Sequence, residues 1–159
     1  LVPLLVLWPT IAAAEHALGV RWPRHEATRL TLRSEMSPEW DAVIAAEMAA
    51  WNLSSVIEMS RQAGACDGSE HICIRPYSQA QGSYVAFTTW GKHGKNFTHV
   101  SIAINVYFLT VPNYSVTCHE LGHALGLAHA EYGEPSCMTP GPTSMWPSAH
   151  DLAQLEAIY

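Results

Sequence analysis

His119-Glu120-Leu121-Gly122-His123-Ala124-Leu125-Gly126-Leu127-Ala128-His129 is the stretch on which the whole chain turns. On a helix, side chains four residues apart project from one face, about 6 Å apart along the axis. The imidazoles of His119 and His123 can therefore converge on one metal ion. Zinc in a catalytic site takes three protein ligands and keeps one tetrahedral position open, so a third ligand is required. A helix that simply continued would carry His129 away. Gly126 resolves this, because glycine readily takes the left-handed conformation that ends a helix and turns the chain. Glu120, beside the first ligand, is suited to take a proton from attacking water and pass it to a leaving amine. Five fixed positions, each matched by chance roughly one time in twenty, leave coincidence negligible in one short chain. The expectation is one catalytic Zn2+ held by His119, His123 and His129, with Glu120 as the catalytic base.

Working outward, Val100, Ile102, Ile104, Val106 and Phe108 share one face of an alternating segment, the clearest strand in the chain. Pro112 and Asn113 break it, and a helix is expected over residues 115–127. Residues 84–90 form a further strand, ending in a glycine-containing turn from Gly91 to Gly94. Nearer the start, residues 29–33 alternate as a first strand. Ser37-Pro38-Glu39 then opens a helix, with Ser37 as its cap and Pro38 in its first position. Trp40, Val43, Ile44, Met48 and Trp51 give that helix one apolar face through about Asn52, and residues 56–59 make a short strand. Downstream, a loop rich in Pro and Gly (residues 133–147) leads to a last helix, opened by Ser148 with Asp151 in a capping box. This order reads as an α/β (α+β) domain with a mixed sheet.

Composition agrees. The 159 residues are 48% hydrophobic and 14% charged, which suits one globular domain with a real core. The net charge is -6, and the eight Lys and Arg form no cluster, which argues against nucleic acid or an anionic membrane as partner. Residues 1–14 read as a truncated signal peptide: an apolar run closed by Ala12-Ala13-Ala14, too short to span a bilayer. Residues 15–159 are then the mature catalytic domain of a secreted protein. Four cysteines in an exported domain imply two disulfides, with three connectivities open. A local bridge between Cys66 and Cys73 is the simplest choice.

The pattern from His119 to His129 resembles the metzincin clan of zinc peptidases, and within it the matrixin-like enzymes of the matrix-metalloprotease type. The resemblance implies a zinc metalloendopeptidase: a single metzincin-like domain with a twisted mixed sheet of about five strands and three helices. It implies extended protein or peptide substrates, and a monomer without stable membrane association. Ser136-Cys137-Met138, nine residues after His129, looks like the Met-turn of that clan, with Met138 beneath the metal. That placement would bring Cys118 and Cys137 together as a second disulfide. Substrate would lie along an edge strand, assigned to residues 98–105, with residues 139–147 walling the pocket beyond the cut. The closing stretch from Pro147 to Tyr159 is similar to the last helix of matrixin domains.

Several departures are equally legible. No Tyr directly follows Met138, so an astacin-style tyrosine ligand is not expected. No ligand set matches the structural zinc of vertebrate matrixins, and calcium is possible but unsupported. Asp67, Glu70, His71, His93 and His99 read as solvent-facing residues, and His16, His25 and His150 carry no visible chemistry. Asn52, Asn96 and Asn113 each begin a tripeptide of the glycosylation-acceptor type. The alternative class is a catalytically silent zinc-containing binding module; an intact Glu120 counts against it.

Overall fold

Apolar side chains at every second position make a strand with one buried face, and β1 (Thr28–Ser34) shows this with Leu30 and Leu32 buried and Arg29 exposed. Four further strands join it: β2 (Ile57–Arg61), β3 (Ile72–Tyr77), β4 (Ala86–His93) and β5 (Asn96–Asn105). They form one mixed sheet in the order β2-β1-β3-β5-β4, parallel except for the β4–β5 pair. Three helices complete an α+β domain: α1 (Asp41–Trp51), α2 (Tyr114–Ala124) and α3 (Ala149–Ile158). The structure is a computed structural model that describes residues 16–24, 28–81, 84–131 and 135–159. The expected signal peptide at residues 1–14 and His25 lie outside those residues. None of the described helices is long and apolar enough to cross a membrane.

The core lies between one face of the sheet and the helices. Leu32, Ile72, Ile74, Ile102 and Ile104 meet Ile44, Trp51, Leu121 and Leu125, all fully buried. The apolar face expected on the first helix is buried at Trp40, Val43, Ile44, Met48 and Trp51. Its entry differs from expectation. A 3-10 turn (Pro38–Trp40) precedes α1, and Ser37 makes no side-chain cap bond.

Three strand expectations need correction. β3 escaped the sequence reading because Arg75 and Pro76 interrupt its apolar run. Yet it sits in the middle of the sheet, paired with both β1 and β5. The strand expected to run on to Phe108 stops at Asn105, whose buried amide bonds Gln79 and Tyr84 and turns the chain. Residues 98–105 were expected to be the edge strand, but β5 is paired on both sides, and β4 forms the edge. Alternation reports which face of a strand is buried and is silent about which strand ends the sheet. The hairpin turn also shifts: β4 runs on to His93, and the turn is Gly94–Lys95.

Glu70 and His71 are not solvent-facing. Glu70 is buried and its Oε2 accepts the backbone N–H groups of Asp67 and Gly68 at 3.1 Å, while the His71 ring meets Thr31 Oγ1 at 2.8 Å. With the Arg33–Asp67 ion pair and the Cys66–Cys73 disulfide, they pin this loop to the sheet.

Glu47 on α1 is an exception to ordinary core chemistry. Its side chain is 0% exposed and neither carboxylate oxygen has a hydrogen-bond partner among the described residues. Burial pushes its carboxyl up to about 8, so it is neutral in the fold at neutral pH. The unfolded chain releases that proton near the ordinary value of 4.5. Between those two values the folded state binds more protons, so stability falls as pH rises. Urea unfolding should show about 2 kcal/mol lost from pH 5 to pH 7 on this account, and Glu47→Gln should flatten the slope.

Candidate metal centre

Helix α2 carries the motif, and its two ends are both chemically specified. At the start, Asn113 is the cap and the helix begins at Tyr114, one residue before the expected 115: the Asn113 Oδ1 accepts Val116 N–H at 3.0 Å. At the end, Gly126 has φ +98°, Gly126 N–H bonds the His123 carbonyl and Leu127 N–H bonds the Gly122 carbonyl, both at 3.0 Å. This paired closure ends the helix at Ala124, earlier than the expected residue 127. A Cβ at position 126 would also lie 2.7 Å from the Val20 carbonyl, so only glycine fits.

The chain then turns back under an N-terminal strap. Leu18 N–H bonds the Gly126 carbonyl at 2.8 Å, and Ala128 N–H bonds the His16 carbonyl at 2.6 Å. His16, which had no expected role, is buried, and its Nδ1 lies 3.2 Å from the Ala128 carbonyl. The segment carrying His129 is thus held by backbone pairing on one side.

His119, His123 and His129 come together, each offering one nitrogen within 4.8 Å of the others. His119 Nδ1–H donates to the Cys137 carbonyl at 2.7 Å, and His123 Nδ1–H donates to the Leu127 carbonyl at 2.8 Å. Carbonyls only accept, so these bonds fix both protons on Nδ1 and leave each Nε2 with a bare lone pair. Those two Nε2 atoms face each other at 3.1 Å. Lone pair against lone pair is repulsive unless a cation lies between them. Burial also depresses both rings, His123 to about 4, so they are neutral at physiological pH. Three nitrogen donors, two of them neutral and oriented through their other nitrogen, fit zinc.

Beside them, Glu120 is 5% exposed. Burial pushes its carboxyl up to about 7, opposed by the Thr88 hydroxyl, which donates to Oε2 at 2.6 Å. Sequence reasoning missed Thr88. The available signal was a polar residue between Ala86 and Trp90 on one face of the strand.

Met138 is fully buried. A Cβ built at Gly122 would overlap its sulfur, so a glycine in the middle of α2 lets the Met138 side chain pack directly against that helix. The turn is anchored from below: Ser136 Oγ accepts Met138 N–H and donates to Asp151 Oδ2, each at 2.8 Å. Asp151 is also the third residue of the α3 capping box with Ser148. Cys118 and Cys137 form a disulfide, as do Cys66 and Cys73.

A cleft of about 700 Å³ opens over the three histidines and Glu120. Leu18, Tyr84, Val85, Phe87, Trp90 and Val116 give it an apolar wall, and Pro140 and Pro142 close the far side; none of its lining residues is Lys or Arg.

Residues 14–133 match the sequence model of a family described as Astacin (Peptidase family M12A). No curated protein matches the chain. Among solved structures, high choriolytic enzyme 1, a hatching enzyme zinc-protease from Oryzias latipes (medaka fish), is similar at TM-score 0.56 and 17% identity, over 87% of this chain and 94% of that one. Myroilysin is similar at TM-score 0.61 and 14% identity, over 91% and 97% of the two chains. At such identities the likeness speaks to the fold alone.

Proposed function

The chain belongs to the astacin family, peptidase family M12A, and is a zinc metalloendopeptidase; from that premise we propose how its own residues carry the reaction, on extended protein or peptide substrates. His119, His123 and His129 hold the zinc, and Glu120 is the general base. The observation that carries this is the pair of Nδ1-anchored imidazoles whose bare Nε2 atoms face one another at 3.1 Å. Zinc bound there supplies Lewis acidity, which acidifies water and polarises the scissile carbonyl. Glu120 removes a proton from the attacking water and returns it to the amine as the C–N bond breaks. The edge of β4 receives an extended substrate through main-chain hydrogen bonds, and Pro140 and Pro142 wall the cleft. Residues 15–159 constitute the catalytic domain in this reading. Secretion is supported by the two disulfides, which persist in oxidising compartments.

The matrixin-like subtype rests on the Met138 spacing and the closing helix, whereas the family match names the astacins. The metzincin core of that resemblance is retained here, with Met138 as the turn beneath the ligands, and the subtype is not.

Casein should be cleaved by the wild-type protein, with activity abolished by a chelator and restored by zinc. Among peptides that differ only beside the cut, apolar residues should outperform acidic ones by about tenfold or more, since the cleft offers apolar wall and no Lys or Arg to pair a side-chain carboxylate. A protein that binds zinc and cleaves no polypeptide would be the silent binding module instead.

A further inference from the structure

The hydroxyl of Thr88 has one proton and two acceptors within reach: Glu120 Oε2 at 2.6 Å and the Glu120 carbonyl at 3.2 Å. The shorter contact is to the side-chain carboxyl, and hydrogen bonds to an ionised carboxylate are stronger than those to a neutral carbonyl. The donor is also well held. Thr88 is β-branched, which stiffens its first torsion, and its backbone pairs with Ile102 in β5. It is half-buried, and it belongs to the strand that forms the open edge of the sheet. The acceptor, by contrast, ends a side chain with three rotatable bonds.

We propose that Thr88 is a positioning residue: its hydroxyl engages one oxygen of Glu120, fixes the plane of the carboxylate, and leaves proton transfer to the other oxygen. This rests on Glu120 being the general base. The bond runs between the sheet edge and the ligand-bearing helix, so the strand that receives substrate also orients the group that acts on it. The step it serves needs no further reactant: Glu120 Oε1 gains the proton that water loses, and the same proton leaves with the amine. A carboxylate free to swing spends less time aligned, which lowers the rate of the chemical step and leaves substrate affinity alone.

The test compares Thr88→Val, Thr88→Ala and Thr88→Ser with wild type on one peptide substrate. Zinc content and thermal midpoint are measured on each. Both hydroxyl-free variants should lose about ten- to a hundredfold in kcat, the range of a hydrogen bond to a charged group, with KM changed less than about twofold. They should bind the same one zinc per chain. Thr88→Ser should stay within about threefold of wild type, because it restores the donor. An unchanged kcat in the Val and Ala variants overturns the proposal. So does a Ser variant as slow as the Val variant, or a loss that tracks zinc content. Wild type that cleaves no peptide overturns the general-base role together with this inference; wild type that cleaves normally while the Val and Ala variants match it overturns this inference alone.

Discussion

Glu120→Gln is expected to lower kcat/KM for a protein substrate by about 10²–10⁴ while leaving zinc content at one per chain. The magnitude is that of removing a positioned general base. Glutamine keeps the size and planarity of the side chain and can still accept the Thr88 hydroxyl, but it cannot take a proton at neutral pH. Packing around position 120 therefore stays, and only the chemistry goes. Glu120 is not among the three nitrogen donors that converge, so metal binding should be indifferent to the change. Calorimetric zinc titration alongside peptide kinetics separates the two readouts. A variant retaining more than about a tenth of wild-type activity would remove Glu120 from the reaction. Stability should be unharmed, since the substitution removes a carboxyl that burial penalises.

What was legible in the sequence was local. The positions of His119, His123 and Gly126 on and after a helix follow from helical geometry and from the freedom of glycine, and α2 and its glycine closure follow suit. The Ser148–Asp151 box is equally local and is present in the structure. Pairing between distant strands was not legible. Residues 84–90 and 98–105 both read as strands, and nothing inside either segment says which one lies at the edge. That depends on β3, which pairs with β5 on the side away from β4, and β3 itself hides behind Pro76. Thr88 was unreadable for the same reason. Its partner lies 32 residues away, across a contact that exists only once the hairpin and helix α2 pack. The family assignment shows a related limit. The spacing from His119 to His129 serves a whole clan of enzymes, so it carries the chemistry but cannot by itself choose the branch.

Removing the Cys118–Cys137 disulfide should cost more than its chain entropy. The bridge spans a sequence separation of 19, for which loop closure in the unfolded chain accounts for about 3 kcal/mol. The Cys66–Cys73 bridge spans 7, and on the same scale loses little by comparison, about 2.5 kcal/mol, because the cost grows only as the logarithm of loop length. With zinc removed, denaturant midpoints of Cys118→Ala/Cys137→Ala and Cys66→Ala/Cys73→Ala should therefore lie close together. Zinc affinity should not. Cys118 precedes His119 on the helix, and Cys137 supplies the carbonyl that receives His119 Nδ1–H. Cutting that bridge loosens the ligand from the group that fixes its tautomer, and losing such an outer partner typically weakens metal binding by about 10- to 100-fold. The Cys66–Cys73 loop is pinned to Arg33 and Thr31 of β1 and supplies none of the bonds that orient His119 or His123, so its removal should leave zinc affinity within about twofold. Equal zinc affinities in the two double variants would show that the turn at Met138 is held without the disulfide, by the Ser136–Asp151 bond and the burial of Met138 alone.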